Sequence, residues 1–247
     1  MSGRYPNGLG FAGRLELIKY RTQGLIGVSP RLYRTGLRVR GSSMGTFVVT
    51  DTDLCIEAPM GCGNSFIIRA VKMANPGIKV AHHHHVPAQL KESARLGVPA
   101  VTILRDPGEA ALSRAVSWGD ASVAGASIYM WVQFWETWRK ISPTVPVVVF
   151  EDLIAHPAAL LELVNRTYGT GFSTDIAPQE EVFESMDHYR SATYGPGSME
   201  MPRPTRPDPA KSSSQNALRP EVERQRSLMR ARRLYHSVKE QVQSAGQ

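Results

Sequence analysis

Residues 54–73 read LCIEAPMGCGNSFIIRAVKM. The first five form a short apolar run that ends at Pro59, as a buried strand does. Residues 64–73 fit a helix with Asn64 or Ser65 near its start. Gly61-Cys62-Gly63 joins the two. Glycines at such a junction let successive backbone N–H groups turn inward and form an anion nest. The helix start adds free N–H donors and the positive end of its dipole. Phosphate is the natural guest, although no Gly-Lys-Ser/Thr follows and the loop is not a Walker A loop. The plain alternative is a tight strand-to-helix turn with no ligand.

Outward from this unit the same alternation recurs. Residues 78–81 form a second strand candidate and lead into His82–His85. A helix is expected over 87–95, with Pro87 at its first position and Gly97 as its stop. Residues 100–104 are a third apolar strand, ending in Arg105-Asp106-Pro107 and a helix through Trp118. Ile128, Trp131, Val132, Trp135 and Trp138 recur at helical spacing. That stripe reads as core packing, with the lining of an acceptor pocket as the alternative. A fourth strand is expected over 145–150, and a helix over 157–168 that stops at Gly169. Continuous apolar strands alternating with helices point to an α/β fold with a parallel sheet covered on both faces. Ligands of such folds bind at the carboxyl ends of the strands. The glycine loop, the histidine run and Arg105 all follow strands there.

Composition narrows the class. The 247 residues are 42% hydrophobic and 21% charged, ordinary globular values that exclude collagen and wholesale disorder. Cys55 and Cys62 cannot build a disulfide framework. No apolar run approaches the ~18 residues of a membrane span. The opening 24 residues lack the continuous apolar core of a signal peptide, so a cytoplasmic location is expected.

The net charge of +7 is uneven. Residues 1–40 carry eight Lys/Arg and one Glu, and residues 202–233 carry nine basic and three acidic groups. These flanks read as solvated faces, as a nucleic-acid surface, or as positive charge for a phosphate-rich small ligand. No helix-turn-helix, zinc-finger or RNA-recognition signature supports nucleic acid as a partner. Residues 1–50 read as a variable opening punctuated by Gly and Pro. Residues 195–220 hold six of the 17 prolines and Ser212-Ser213-Ser214 and read as a loop. An amphipathic helix is expected from Pro220 onward. One domain over 1–247, with these two basic additions, is the expected organisation.

Arg105 at a strand end and Ser113 two turns into the next helix can reach one phosphate, Arg through its planar fork. The alternative is a surface pair of Arg105 with Asp106 or Glu109. On an extended segment His83 and His85 would share one side, and His82 and His84 the other. A metal site there lacks a third ligand at known spacing, so none is expected. Purely structural histidines are the other alternative.

Together these pieces resemble the family of sulfotransferases that use 3′-phosphoadenosine 5′-phosphosulfate (PAPS). Gly61-Cys62-Gly63-Asn64-Ser65-Phe66 is similar to the family's 5′-phosphosulfate loop. Thr102-Ile103-Leu104-Arg105-Asp106-Pro107 through Ser113 is similar to its 3′-phosphate motif. His85-Val86-Pro87 resembles the segment with the catalytic histidine, and Val148-Val149-Phe150-Glu151-Asp152-Leu153 its aromatic-Glu-Asp-Leu strand end. The four match in order over roughly 53–170. The resemblance implies a P-loop-like three-layer α/β fold around a central parallel sheet. It implies PAPS as sulfuryl donor, PAP (the desulfated nucleotide) as product, and no metal. Gly61, Cys62, Gly63, Asn64, Ser65 and Phe66 would hold the 5′-phosphosulfate, and Arg105 and Ser113 the 3′-phosphate. His85, with His83 as second choice, would be the general base on an acceptor hydroxyl. The acceptor is open among glycan, lipid, small-alcohol and tyrosine hydroxyls, as is the oligomeric state. The basic C-terminal segment with Arg203, Arg206, Lys211 and Arg219 would fold over the nucleotide.

The sequence departs from the family in one respect. The family's loop carries a Lys or Arg, where this chain has Gly61, or Met60 if one residue is inserted. Lys79, Arg69 or a flank residue is left to substitute. The alternative functions are a non-catalytic PAP-binding protein of the same fold and a P-loop-like nucleotide kinase, which would need Mg²⁺ and a loop Lys.

Overall fold

The structure is a computed structural model and describes residues 11–39, 46–141, 144–194 and 209–245. Its centre is a four-stranded parallel sheet of β1 (Leu54–Ile56), β2 (Val80–Ala81), β3 (Ala100–Leu104) and β4 (Val147–Val149), in the order β2-β1-β3-β4. Leu54 pairs with Val80, Cys55 with Ala100 and Thr102 with Val147. Every strand residue is buried, which is why these runs, Thr102 apart, are apolar instead of alternating. Burying each large aliphatic among them contributes about 1.5–3 kcal/mol.

Helices follow the strands: α3 (Asn64–Ala74) after β1, α4 (Ala88–Leu96) after β2, α5 (Pro107–Trp118) after β3, and α7 (Phe150–Ala155) with α8 (Ala159–Tyr168) after β4. Gly97 and Gly169 end α4 and α8. The start of α5 is fixed locally. Pro107 occupies the first turn, and the Asp106 carboxylate accepts from the N–H groups of Gly108 (2.8 Å) and Glu109 (3.0 Å). α6 (Ala124–Trp138) buries Trp131, Trp135 and Trp138, so its aromatic stripe is core.

Two expectations need correction. The opening is helical, with α1 (Phe11–Ile26) and α2 (Pro30–Val39) packed on α6 and α4 respectively. The Pro/Ser-rich stretch enters α10 (Pro209–Glu223), which packs on α5. Pro209 stands at a helix start, where its missing N–H costs nothing, and packing outweighs the weak propensity of the three serines. The helix expected from Pro220 therefore divides. Pro220 lies inside α10, and α11 runs Leu228–Ala245. α9 (Gln179–Tyr194) packs on α3. One buried apolar cluster runs from Tyr33 of α2 to Val238 of α11. Among the described residues no helix is long and apolar enough to cross a membrane.

Candidate functional site

The glycine loop after β1 is tied down from two sides. Gly61 has φ 84° and Gly63 φ 82°, left-handed values that side chains other than glycine rarely adopt. A Cβ on Gly61 would lie 2.4 Å from the Ala110 carbonyl oxygen, and one on Gly63 3.0 Å from the Phe150 ring. The loop thus presses its backbone against α5 and Phe150. It delivers the chain to α3 with no side chain capping the helix start. The first N–H groups of α3 have no acceptor within the helix. Asn64 donates instead to the Ala58 carbonyl, 2.9 Å away.

Side chains divide the six loop residues by role. Cys62 is fully buried, and burial pushes its thiol up to about 12, which rules out a thiolate nucleophile. Phe66 packs on Phe183 in the core, ring centroids 5.3 Å apart. Cys62 and Phe66 can therefore serve a ligand only through backbone. Ser65 is partly exposed with its hydroxyl at the helix start.

Arg105 leaves β3 toward the loop, and its carbonyl accepts from Trp131 Nε1 at 3.2 Å. Its guanidinium donates to the Gly61 carbonyl at 2.5 Å and stacks 4.0 Å over the Phe150 ring. A surface pair with Asp106 or Glu109 does not form, because Asp106 caps α5 and Glu109 takes Arg219 at 2.5 Å. Arg105 and the loop are therefore brought together. Ser113 sits partly exposed in the second turn of α5, its carbonyl accepting from the Ser117 hydroxyl.

The histidine run is not extended. His83 and His85 have φ of 63° and 56°, strained for residues with a side chain. Three rings turn toward α3: His82 to Lys72 (3.2 Å), His83 to Ser65 (3.1 Å) and His85 to Asn64 (3.2 Å). His84 alone turns away, between Tyr33 and Thr46, both 3.1 Å from its ring nitrogens. The expected sharing of one side by His82 and His84 is corrected accordingly.

His85 Nδ1 lies 3.0 Å from the Ala58 carbonyl oxygen. Asn64 Nδ2, 3.2 Å from the same nitrogen, is itself a donor to the Ala58 carbonyl; with that carbonyl accepting from both, Nδ1 carries the proton and Nε2 keeps its lone pair. Burial first, then the nearby charges of His83, Arg114 and His84, hold the ring's pKa down to about 3. Burial thus favours the neutral imidazole, and in this tautomer Nε2 is the nitrogen with the lone pair.

Glu57 makes this conformation possible. Its carboxylate is fully buried and accepts from the N–H groups of His84 and His85, both at 2.9 Å, and from Gln89 Nε2 at 2.8 Å. Burial raises its pKa to about 7 despite these donors. A charged residue inside an apolar strand run was the sequence signal for it.

Acid stability follows from these groups. Burial lowers His82 and His85 to about 3 and His84 to about 4. Their unfolded imidazoles bind protons near pH 6.5, so they favour unfolding as pH falls below that value. Glu57, with its folded pKa raised, works the other way between about 4.5 and 7. Three histidines outweigh one carboxyl. Unfolding near pH 5.5 should take up about two protons net, and chemical denaturation should show stability falling between pH 7 and 5. Constant stability over that range would contradict these shifts.

Arg114 was missed in the sequence reading. It reaches from α5 to donate to the Tyr20 hydroxyl and lies over the rings of Tyr20 (5.4 Å) and Trp118 (5.3 Å). Among the described residues Asn64 Oδ1, Arg105 Nε and Arg114 Nε are buried without a protein partner. The spare donor of Arg105, whose guanidinium meets the Gly61 loop, and the uncapped start of α3 suit an anion carrying several oxygens. Of the proposed loop-cation substitutes, Lys79 pairs with Asp51 (2.8 Å) at the opposite, amino end of the sheet. Arg69 turns to Ser185 (2.7 Å). In the tail, Arg219 is taken by Glu109, Arg232 by Glu223 (2.7 Å) and Arg230 by Glu136 (2.5 Å). These pairs dock α10 and α11. Lys211 is partly buried in the first turn of α10, and Arg203 and Arg206 lie outside the described residues.

Among the described residues no cluster of three or more His, Cys, Asp or Glu could hold a metal ion. In comparisons with known proteins, the chain matches no family model, no curated protein and no solved structure.

Proposed function

We propose that this protein is a cytoplasmic PAPS-dependent sulfotransferase, built as a single P-loop-like α/β domain. The observation that carries the reading is His85 set beside the glycine loop and the uncapped start of α3, with its Nδ1 at the Ala58 carbonyl. In this reading the α3 start and the glycine loop hold the 5′-phosphosulfate. Arg105 and Ser113 hold the 3′-phosphate, with Arg114 adding positive charge nearby. His85 Nε2 takes the acceptor hydroxyl's proton as the oxygen attacks sulfur. The S–O bond to the 5′-phosphate breaks, and its electron pair leaves with PAP. The sulfuryl group arrives activated, so the protein's work is positioning and charge stabilisation. A second reading, a PAP-binding protein without turnover, is favoured by the uncharged Met60 and Gly61 and by the engagement of Lys79 and Arg69 elsewhere.

Calorimetry with PAP and ATP, with and without Mg²⁺, tests both. Binding that prefers PAP and ignores Mg²⁺ is expected. Sulfuryl transfer to members of an acceptor panel then separates enzyme from binder. Mg²⁺-dependent binding that prefers ATP would point to a kinase and overturn the proposal.

A further inference from the structure

The histidine run holds a feature that the base assignment leaves unused. Ser65 and Lys72 are seven residues apart on α3, so they share one face about 10.5 Å apart. His82 and His83 bridge that gap. Lys72 Nζ is 3.2 Å from His82 Nε2, His82 Nδ1 is 2.7 Å from His83 Nδ1, and His83 Nε2 is 3.1 Å from Ser65 Oγ. An ammonium has no lone pair and can only donate. His82 Nε2 therefore accepts, which leaves its proton on Nδ1. That proton is donated to His83 Nδ1, so the His83 proton is on Nε2 and is donated to Ser65 Oγ. The Ser65 hydroxyl hydrogen is then free for a ligand at the α3 start. Every link runs the same way, and each polarises the next. The left-handed φ of His83 is the backbone strain that accompanies this arrangement.

We propose that Lys72, His82, His83 and Ser65 form a directed hydrogen-bond relay that makes Ser65 Oγ–H a charge-assisted donor, in place of the loop cation this chain lacks. The role assigned to it rests on the sulfotransferase reading. As the acceptor O–S bond forms, the electron pair of the breaking S–O bond collects on the departing phosphate oxygen. Ser65 donates to that oxygen. The acceptor's proton goes to His85, and the relay itself loses none. Ser65 is the member that touches the donor, and Lys72, His82 and His83 are positioning residues. Burial keeps His82 neutral, as the chain of donors requires.

Long-range ¹H–¹⁵N NMR on the full chain reads the tautomers directly. Wild type should show His82 with its proton on Nδ1 and His83 with its proton on Nε2. Lys72→Met should move the His82 proton to Nε2 or mix the two forms, and Lys72→Arg should preserve the wild-type pattern. His82 protonated on Nε2 in wild type, or unchanged tautomers in Lys72→Met, would overturn the relay. In turnover, Ser65→Ala and Lys72→Met should each cost roughly 10²-fold, and the double variant no more than the worse single one. Multiplying losses would also overturn it. The expected tautomers without PAP binding would defeat the phosphosulfate reading alone. PAP binding with the wrong tautomers would defeat the relay alone.

Discussion

His85→Ala should cut turnover by roughly 10²–10⁴-fold and leave PAP affinity unchanged. The ring's Nδ1 is committed to the Ala58 carbonyl, so its chemistry resides in Nε2. That nitrogen is a base only in the neutral ring; burial favours that form and also weakens the base, so the bound phosphosulfate has to raise the ring's pKa for it to take the proton. The backbone ties of the loop survive loss of the imidazole. Asn64 still satisfies Ala58, and the His85 N–H still reaches Glu57. Because residue 85 has a positive φ, His85→Asn is the companion variant, since Asn tolerates that backbone better than Ala. Single-turnover transfer and PAP calorimetry on both variants check the result. Wild-type turnover in either would remove His85 from the chemistry. Loss of PAP binding in both would make it a structural residue of the nucleotide site.

Arg105→Ala should weaken PAP binding by roughly 10–150-fold, the loss of about 1.5–3 kcal/mol for a charge-assisted contact. Its guanidinium meets a backbone carbonyl and an aromatic face and no carboxylate, so its positive charge is uncompensated by its direct partners. Arg105→Lys should recover little, because an ammonium makes neither the planar stack on Phe150 nor a forked bond to phosphate. Calorimetry reads the affinity. A thermal melt beside it separates lost ligand contact from a loosened Gly61 loop. Unchanged PAP affinity would end the 3′-phosphate assignment.

The strand-loop-helix unit at 54–74 was legible because its signals are local. An apolar run, two glycines and a helix-starting residue lie adjacent in the chain, and β1 and α3 form there. The same holds for β3, Arg105 and the α5 start, where Asp106 and Pro107 act within one turn. The helices α1, α2 and α10 were not legible. Gly24 in α1, Pro30 and Gly36 in α2, and Pro209, Pro220 and three serines in α10 read as punctuation, and the packing of these helices on α6, α4 and α5 is a long-range property that local signals do not carry.

By itself the sequence determined a parallel α/β core, a glycine loop opening onto a helix, and an arginine and histidines at strand ends. Each of these is a property of neighbouring residues. Only the tertiary structure decided which way the histidines face. A period-two reading assumes an extended chain, but the buried Glu57 captures two successive N–H groups, and His83 and His85 take left-handed φ. That one carboxylate, set 27 and 28 residues before the two N–H groups it binds, fixes a turn in which three rings face α3 and the fourth enters the core. No local pattern encodes such a hydrogen bond, because its two ends meet only once β1 and β2 lie side by side.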